Sequence, residues 1–440
     1  MMQTERIRDV IRYIKKFRGS TIVIRIDDDV FDSPLFSSHI HDLSLLHETG
    51  IRTVIIPGAQ NQISDVLNTY KVPWKFENRT RITGEEGMDF IRMAAFDVSN
   101  RIMTRLSAEQ MNAVIGNWVR ARGKGVIDGI DYGSAGIVEK IQIDSLTRAI
   151  DDGFLPIIPC IGWTSTGKPY NISSTELAVA IAVALKADKL FFLGCGATIS
   201  IDDYIMPENT ALSPEGRMAA IAVDDIATFL DINKDKENSH CTAGELEDLL
   251  TQARDACLRG VTRVHILDAD IDGVLPAEIF SDLGSGTMVY RNNYGIFRIM
   301  TKEDIPAVLS LMNPFVEQGI LLPRTSEEIE QNVSDFSVFE LDGGIRACGA
   351  LHVYPESVGE IAALAVDETY AHMGIGPKLM EVLISKAQMA QLSSIFVLTT
   401  KTADWFERFG FKKAEISAIP EKRREKWNEK RGSRVLIRVL

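Results

Sequence analysis

Residues Glu360, Gly374 and Gly376 have the types and the spacing that chemistry on a bound anion needs. In the stretch GEIAALAVDETYAHMGIGPKL, Glu360 opens a strand, a short loop follows, and the two glycines begin an amphipathic helix. Backbone N–H groups left uncovered by glycine at a helix start can hold phosphate oxygens. A carboxylate on the preceding strand can serve as a general base. The plainer interpretations are a glycine turn required only for geometry and a solvated strand-end glutamate.

The elements that must position these residues follow a regular order over residues 297–440. Hydrophobic periodicity and turn residues define their succession. They are a strand and helix (297–312), a hairpin (337–354), a strand (359–366), a helix (374–388), a strand (393–400), a short helix (403–410) and a last strand (434–440). The sequence therefore predicts a separate C-terminal domain.

The first 289 residues have a different rhythm, in which apolar strands alternate with helices. The predicted strands are 21–26, 52–58, 154–162, 189–194 and 263–268, with helices at 37–50 and 176–187 among them. Such alternation predicts an α/β domain with a mostly parallel sheet covered by helices on both faces. A polar, glycine-closed segment at 290–296 is predicted to link this domain to the next.

Composition and charge exclude several classes of protein. The 440 residues carry a formal charge of −13, which disfavours a nucleic-acid partner. The longest apolar run, Leu177 to Leu185, is far shorter than the about 20 residues that cross a bilayer, so no membrane association is expected. Five scattered cysteines form no disulfide framework, which favours a cytoplasmic location. No metal site is expected, and His39, His41 and His47 are predicted to lie on the surface.

The loop from Ala371 to Gly376 resembles the pyrophosphate loop of the GNAT acetyltransferase superfamily, written [QR]-x-x-G-x-[GA]. Ala371 stands where that loop usually has Arg or Gln, and both glycines are present. Over nearly the whole chain, segments such as GIDYGSAG (129–136), EIFSDLGSGTMV (278–289) and QGILLPRTSEEIE (318–330) are similar to bacterial N-acetylglutamate synthases. The resemblance implies a three-layer αβα amino-acid kinase-like domain followed by an α+β GNAT acetyltransferase domain.

The resemblance also implies an activity, the transfer of the acetyl group of acetyl-CoA to the α-amino group of L-glutamate. Glu360 would take the proton of the amine, and Thr399 would protonate the leaving thiolate. Arg324 and Arg431 would hold the two carboxylates of the substrate, since guanidinium groups suit them, with Ser433 close by. Arg434 is an alternative to Arg431 because the alignment of the tail needs a small gap.

The coenzyme contacts implied by the resemblance are mainly backbone groups. Leu364, Ala365 and Val366 would supply N–H donors to the oxyanion where the strand splays. The loop residues Met373, Gly374, Ile375 and Gly376 would hold the pyrophosphate of acetyl-CoA.

The N-terminal domain lacks the groups that a working amino-acid kinase needs. Arg25 takes the place of the usual lysine, and Asp27, Asp28 and Asp29 follow where glycines would cradle phosphate. Carboxylates there repel a nucleotide and add β-carbons where backbone must approach closely. We therefore expect no phosphoryl transfer by this domain. We expect a role in binding or assembly instead.

The resemblance implies L-arginine as a feedback ligand of this domain. Glu278 would pair with its guanidinium, and the turn residues Gly284, Ser285, Gly286 and Thr287 would meet its carboxylate. The plainer interpretation is a helix glutamate followed by an ordinary tight turn. A predicted N-terminal helix, residues 3–17 with Tyr13, resembles the segment that interlaces subunits in arginine-sensitive relatives. A homo-oligomer, and specifically a hexamer, is implied by that analogy.

Three other functions remain open at the level of sequence. One is an N-acetyltransferase for a different amino acid, and another is an arginine sensor with a weakened transferase, which Ala371 would favour. The third is a true N-acetylglutamate kinase, which the run from Asp27 to Asp29 argues against.

Overall fold

A computed structural model describes most of the 440 residues. The described residues are 11, 14–15, 17–207, 210–213, 215–236, 242–280, 285–291, 295–341, 344–367, 370, 375–425, 427 and 431–440. The chain divides into two compact units, Met1–Asn292 and Asn293–Leu440. Tyr13 and most of the predicted N-terminal helix lie outside the described residues.

The strands alternate with helices in the first unit and dominate the second. They are β1 (Thr21–Ile26), β2 (Arg52–Pro57), β3 (Trp74–Glu77), β4 (Thr80–Thr83), β5 (Ala113–Ile115), β6 (Val119–Gly123), β7 (Val126–Ile127), β8 (Ile130–Asp131), β9 (Gly136–Ile141), β10 (Leu155–Ile157), β11 (Ile161–Trp163), β12 (Pro169–Asn171), β13 (Lys189–Gly194), β14 (Ala211–Leu212), β15 (Met218–Ala222), β16 (Arg263–Asp268), β17 (Thr287–Tyr290), β18 (Ile296–Ile299), β19 (Phe336–Leu341), β20 (Gly344–Tyr354), β21 (Val358–Val366), β22 (Ser394–Thr399), β23 (Lys412–Ala414) and β24 (Arg434–Val439).

The α-helices are shorter in the second unit than in the first, with two exceptions that cover its sheet. They are α1 (Phe36–Glu48), α2 (Gln60–Thr69), α3 (Met88–Ala108), α4 (Ile143–Asp151), α5 (Ser174–Ala184), α6 (Ile226–Ile232), α7 (Ala243–Leu258), α8 (Val274–Phe280), α9 (Ile305–Glu317), α10 (Ser326–Gln331), α11 (Ile375–Met389), α12 (Ala403–Glu407) and α13 (Glu421–Arg424). The two exceptions are α9 and α11.

The first unit is built on a nine-stranded sheet in the order β14-β15-β17-β16-β13-β1-β2-β10-β5. The central pairings from β16 to β5 are parallel, whereas β17 runs antiparallel to β16 and β14 antiparallel to β15. Alternate residues of β1 enter separate apolar clusters, Val23 in one and Ile22 and Ile24 in the other. Because the sheet is buried on both faces, helices form the outer layers, and the predicted αβα architecture is confirmed.

One predicted strand of the first unit proves to be two. Residues 154–162 divide into β10, which belongs to the nine-stranded sheet, and β11, which belongs to a second sheet ordered β12-β11-β6-β9. Pro159 lies between them and has no N–H to continue a ladder, and the Ile161 N–H donates to the Pro159 carbonyl at 2.7 Å instead. The apolar run alone gave no sign of this change of sheet.

The histidines near the start of the chain are not all on the surface. His41 is exposed and bonds Glu109, but His39 is 0% exposed and its Nε2 lies 2.8 Å from the Ala269 carbonyl oxygen. The prediction was wrong for His39, because its buried ring bonds the backbone just after β16 rather than water.

The second unit is a seven-stranded sheet in the order β18-β19-β20-β21-β22-β24-β23. Its neighbours are antiparallel except β21 and β22, which run parallel. Helix α11 contributes to the apolar cluster on one face and α9 to the cluster on the other. This is the α+β arrangement that the sequence predicts. In the part of the chain that the structure describes, every helix is too short or too polar to cross a bilayer.

Candidate active site

The sheet of the second unit opens next to a bulge in β21. The register between β20 and β21 shifts between Cys348 and Ala350, and Ala363 takes a positive φ of 52°. Strands β21 and β22 pair only as far as Ile361 and Val397. Beyond that point, in the described chain, Leu364, Ala365 and Val366 have no pairing to β22, so backbone groups on that side are available to a bound molecule.

Glu360 lies on β21 just before this opening and is 5% exposed, so it is not a solvated strand-end glutamate. The Arg423 Nε donates to both carboxylate oxygens of Glu360 at 2.9 Å. The Tyr354 hydroxyl donates to Glu360 Oε2, also at 2.9 Å. Burial and the Glu360 charge raise the pKa of Tyr354 well above its ordinary value, so this phenol stays protonated and keeps donating.

Arg423 is a site residue that sequence reasoning missed. It belongs to the short helix α13, within the tail EKRREKWNEKRGSR, in which most residues are charged. Its neighbour Arg424 is exposed, but the Arg423 side chain is 14% exposed and faces Glu360. No local pattern separates the two arginines, because the partner of Arg423 lies 63 residues earlier in the chain.

Arg324 is held by a chain of polar contacts that runs through His352 to Asp335. Its Nη1 lies 3.2 Å from His352 Nε2, and His352 Nδ1 lies 2.6 Å from Asp335 Oδ2. A guanidinium can only donate, so His352 must accept at Nε2 and donate from Nδ1 to the carboxylate. The guanidinium also lies 5.6 Å above the Phe336 ring. The register of the sheet places His352 directly opposite Glu360.

The tail residues differ in how deeply they lie. Arg431 is half-buried, its Nη2 donates to the Ile320 carbonyl at 2.7 Å, and burial together with the charge of Arg423 lowers its pKa. Ser433 is half-buried, whereas Arg434 is exposed on β24. The structure thus brings Arg431 into the electrostatic neighbourhood of Arg423.

Thr399 ends β22 on the other side of the opening. Its hydroxyl lies 2.9 Å from the Thr402 hydroxyl and accepts the Thr402 N–H at 3.1 Å. Either hydroxyl can be the donor, so Thr399 retains a proton that it can turn towards a bound group. The next hydroxyl, Thr400 Oγ1, is buried and has no hydrogen-bond partner among the described residues.

Two of the four predicted loop residues can be placed. Met373 and Gly374 lie outside the described residues, whereas Ile375 and Gly376 are buried at the start of α11. A β-carbon on Gly376 would meet Trp405 and Val366 at 3.6 and 3.7 Å, which is ordinary contact distance. Gly376 therefore lies against the end of β21, where the sheet opens.

The predicted arginine-site residues of the first unit also come together. Glu278 is 6% exposed and accepts from the N–H groups of Ser285 and Gly286 at 2.5 and 2.9 Å. Its Oε1 lies 2.5 Å from His265 Nδ1. The Thr287 hydroxyl donates to the Met218 carbonyl. Gly284 lies outside the described residues.

The charge state of this buried pair follows from its surroundings. Burial and the nearby Lys189 lower the pKa of His265 to about 4, so the imidazole is neutral at neutral pH. Burial alone would raise the pKa of Glu278, but His265 and the two backbone N–H groups outweigh it and lower that pKa to about 2. A β-carbon on Gly286 would lie 2.3 Å from the Ile266 carbonyl oxygen, so the cradle requires glycine there.

The residues at the place where a kinase would hold phosphate are paired with one another. Arg25 donates to both oxygens of Asp27 at 2.8 Å, and Asp28 accepts from the backbone and side chain of Asn61. The arginine in the lysine position is thus already paired with a carboxylate. Among the described residues, no three His, Cys, Asp or Glu side chains converge as a metal site requires.

Comparison with known proteins identifies both units. The amino acid kinase family matches residues 16–268, and the acetyltransferase (GNAT) domain matches residues 332–413. The amino-acid acetyltransferase of Mannheimia succiniciproducens is 32% identical over 435 residues, which cover 97% of this chain and 96% of the relative. The chain belongs to the amino-acid acetyltransferase family. The family predicted from the sequence and its two-domain fold are therefore confirmed.

Two solved structures of relatives extend over the same length. The N-acetylglutamate synthase from Neisseria gonorrhoeae complexed with coenzyme A and L-arginine is similar with a TM-score of 0.82, at 30% identity and with 99% of each chain covered. The N-acetylglutamate synthase from the same organism complexed with coenzyme A and N-acetyl-glutamate gives a TM-score of 0.60 at 31% identity, again with 99% of each chain covered.

Proposed function

We propose that this amino-acid acetyltransferase moves the acetyl group of acetyl-CoA to the α-amino group of L-glutamate, the first step of arginine biosynthesis. The products are N-acetyl-L-glutamate and CoA. The observation that carries the proposal is the buried Glu360 carboxylate, held by Arg423 beside the opening of the sheet. The Neisseria relative has been crystallised with both of these products.

Glu360 is the base of the proposed reaction. An ammonium group cannot attack a thioester, so the substrate amine must first lose a proton. Glu360 lies at the last paired part of β21 and β22 and therefore next to the place where a thioester would enter. It takes the proton directly or through one water. Tyr354 and Arg423 both donate to Glu360 Oε2, whereas Oε1 receives Arg423 alone among the described donors and keeps a lone pair for this exchange.

The acetyl-CoA thioester lies in the opening of the sheet in this proposal. The backbone N–H groups of Leu364, Ala365 and Val366 are the candidates to stabilise the oxyanion of the tetrahedral intermediate. The start of α11, with Ile375 and Gly376 preceded by Met373 and Gly374, would hold the pyrophosphate. The bulge at Ala363 supports this placement of acetyl-CoA, because it separates the strands where the coenzyme must pass.

Collapse of the intermediate releases the CoA thiolate, which needs a proton. Thr399 is the proposed donor, and the Thr402 hydroxyl at 2.9 Å can replenish its proton. Transfer is direct, from thioester to amine, and uses no covalent enzyme intermediate. Cys348 is buried, and burial raises the pKa of its thiol to about 12, which makes it a poor nucleophile.

The two carboxylates of L-glutamate require cationic partners. Arg324, Arg431 and the Ser433 hydroxyl are proposed to bind them, and Arg423 adds a third guanidinium close to Glu360. Burial lowers the pKa of Arg324, which nevertheless remains cationic, so a substrate carboxylate would find a poorly solvated charge there. The exposure of Arg434 supports Arg431 as the tail residue that binds substrate.

We also propose L-arginine as the effector of the first unit, at Glu278, Gly284, Ser285, Gly286 and Thr287. The support is the convergence of the four described residues, together with the arginine bound by the Neisseria relative. His265 and two N–H groups already donate to the Glu278 carboxylate. A guanidinium would therefore donate to the lone pairs of the carboxylate that these groups leave unused. This restricts the approach of arginine to one side of the carboxylate.

The organisation of the chain completes the proposal. The domain boundaries are placed at 1–289 and 297–440 with a linker at 290–296, and the chain is proposed to act in the cytoplasm as a homo-oligomer, with a hexamer as its form. The resemblance of residues 3–17 to a subunit-interlacing segment supports the hexamer.

A thiol-release assay tests the proposal directly. The protein is incubated with acetyl-CoA and L-glutamate, L-aspartate or L-glutamine, and free CoA is measured with and without L-arginine. We expect glutamate to be used at least 10-fold better than aspartate, because one missing methylene displaces a carboxylate from its arginine. Preference for another amino acid would assign a different substrate, and CoA binding without thiol release would leave an arginine sensor.

The effector proposal needs a variant as well as an effector titration. The Glu278→Gln variant should lose the arginine response, whereas Glu139→Gln, on an exposed strand position of the same unit, should retain it. An arginine response of unchanged size in Glu278→Gln would place the effector elsewhere.

A further inference from the structure

His352 on β20 is a half-buried histidine that the proposed acetyl transfer does not use. Its ring joins Arg324, a proposed substrate ligand, to the carboxylate of Asp335. In the antiparallel register of β20 and β21, His352 lies directly opposite Glu360, so the two side chains stand on the same face of the sheet. A residue in this place can control how a substrate is held without touching the reacting atoms.

The two contacts of His352 define one tautomer of its ring. The Arg324 guanidinium can only donate, so His352 Nε2 accepts from it at 3.2 Å. The ring proton is then on Nδ1, which donates to the Asp335 carboxylate at 2.6 Å. A second ring proton would set one N–H group against another at Arg324 and break that contact. The arrangement therefore requires a neutral imidazole between an anion and a cation.

Asp335 is itself anchored to the long helix α11. The Lys386 ammonium on that helix donates to the carbonyl oxygens of Ser334 and Asp335 at 2.8 and 3.0 Å. The His352 ring also meets the Phe336 ring edge to face, with the ring centres 6.3 Å apart. The chain itself thus fixes the orientation of the imidazole, without a bound substrate.

Arg324 depends on His352 for its own orientation. It lies in the irregular segment between α9 and α10, and among the described residues His352 is the only hydrogen-bond partner of its guanidinium. Two acidic groups, Glu360 and Glu328, influence its charge. Neither is hydrogen-bonded to it, because Glu360 accepts from other side chains and Glu328 accepts the Thr325 N–H at 3.0 Å.

A neutral partner leaves the Arg324 guanidinium able to bind an anion. The group has five N–H donors, and the contact with His352 uses one of them. A carboxylate in the place of the imidazole would neutralise the cation, whereas the imidazole orients it and leaves its charge for a substrate carboxylate. Asp335 polarises the ring through Nδ1, which makes Nε2 a stronger acceptor.

We propose that His352 is a positioning residue, whose ring directs the Arg324 guanidinium towards a carboxylate of the substrate. The inference rests on the proposed function, in which Arg324 binds a carboxylate of L-glutamate. It adds that the affinity for this substrate depends on the contacts that run from Asp335 through His352 to Arg324.

The thiol-release assay tests this inference with two variants of His352. His352→Leu removes both hydrogen bonds and should raise the KM for L-glutamate about 10-fold or more, while kcat and the KM for acetyl-CoA change less than about 3-fold. His352→Gln should keep the KM for L-glutamate within about 3-fold of wild type, because its amide can accept from Arg324 and donate to Asp335.

His41→Leu is the matched control, since it removes a histidine that bonds a carboxylate in the first unit, and it should behave as wild type. A purely structural role of His352 would raise the KM values for both substrates together. That result, or an unchanged KM for L-glutamate in His352→Leu, would overturn the inference.

A double variant shows whether His352 acts through Arg324. Arg324→Met should by itself raise the KM for L-glutamate, and adding His352→Leu should then raise it less than about 3-fold further. If His352→Leu raised this KM by the same factor with and without Arg324, the two residues would act independently and the inference would be wrong.

Binding of N-acetyl-L-glutamate to the full chain in the presence of CoA, measured by calorimetry, needs no turnover. If Arg324→Met weakens this binding and His352→Leu does not, only the positioning inference is wrong. If wild type does not bind N-acetyl-L-glutamate, or if Arg324→Met binds it as wild type does, the proposed substrate site is wrong and the inference with it. Circular dichroism and the melting temperature verify folding, and His352→Phe, which keeps a ring, replaces His352→Leu should that variant fail to fold.

Discussion

Among the residues that the structure describes, each unit buries one glutamate, and the two are held in different ways. Glu278 in the first unit receives two backbone N–H groups and a neutral imidazole from His265. In the described part of the second unit, Glu360 receives side-chain donors only, from Arg423 and Tyr354. The exposures are nearly equal, 6% for Glu278 and 5% for Glu360, so burial does not distinguish them.

The difference lies in what can change without unfolding the protein. Backbone donors at Ser285 and Gly286 are fixed by the strand that follows, so Glu278 keeps one place and one charge. A guanidinium such as Arg423 can keep one oxygen and release the other to a water or an amine, since its donors are on a long side chain. The comparison suggests that side-chain partners suit a carboxylate that must exchange protons, and backbone partners one that must stay ionised.

Removing each carboxylate in turn gives the largest expected effect. Glu360→Gln keeps the shape but cannot accept a proton, so kcat should fall about 100- to 1000-fold, within the range for a lost general base. Glu278→Gln, measured without L-arginine, should change kcat less than about 3-fold, on the view that it takes no part in the chemistry. The thiol-release assay measures both.

Glu356→Gln, in the exposed turn before β21, is the matched control and should behave as wild type. If Glu360→Gln kept more than a tenth of the wild-type kcat, another group would transfer the proton. Glu360 and Glu278 would then not differ in function in the way that the comparison requires.

The next largest effect should come from the partner of Glu360. Arg423→Met leaves a buried carboxylate without its cation, which should lower the free energy of unfolding of the second unit by about 2–4 kcal/mol and raise the KM for glutamate. Arg424→Met, on the exposed neighbour, should cost less than about 0.5 kcal/mol. Urea unfolding followed by tryptophan fluorescence measures both. Equal losses would mean that the Glu360–Arg423 pair is a surface contact in solution.

The sequence predicted the strands β1 and β21 because local patterns of apolar residues determine them, and it predicted the family through the resemblance of several segments to known sequences. It did not predict Arg423 or His352, since each acts through contacts with residues far away in the chain. Charged tails and strand-end histidines look the same in sequence whether they face water or a carboxylate. His265 carried a visible signal, as the one imidazole within the apolar strand RVHILD.

The buried pair His265–Glu278 in the first unit should make the stability of the chain depend on pH. The folded chain keeps His265 neutral down to about pH 4, whereas the unfolded chain protonates it below about pH 6.5. The unfolded state thus binds more protons between these values, and stability falls as the pH is lowered from about 6.5 to about 4. Between pH 7 and pH 5 the loss should be about 2 kcal/mol.

His265→Gln isolates this contribution, because it can still donate to Glu278 but does not titrate. As the pH falls from 7 to 5, the unfolding free energy of wild type should decrease relative to that of the variant. Any advantage of wild type at pH 7 should therefore shrink or be reversed. Glu278 adds almost nothing above pH 5, since its carboxyl titrates at about 4.3 in the unfolded chain and at about 2 in the folded chain. Parallel pH profiles for the two proteins would show that the imidazole is not buried in its neutral form.

The smallest expected effect concerns Thr399, the proposed donor of a proton, whereas Glu360 is the proposed acceptor. Thr399→Val removes the hydroxyl and with it the acceptor of the Thr402 N–H, so kcat should fall about 3- to 10-fold if protonation of the thiolate is partly rate-limiting. Thr399→Ser keeps the hydroxyl and should stay within about 2-fold of wild type. A water can also protonate a thiolate, whereas no water can replace a base held at one position. The loss of kcat in Thr399→Val should therefore be far smaller than the loss in Glu360→Gln. Equal losses of kcat in the two variants would assign Thr399 a role in binding the thioester.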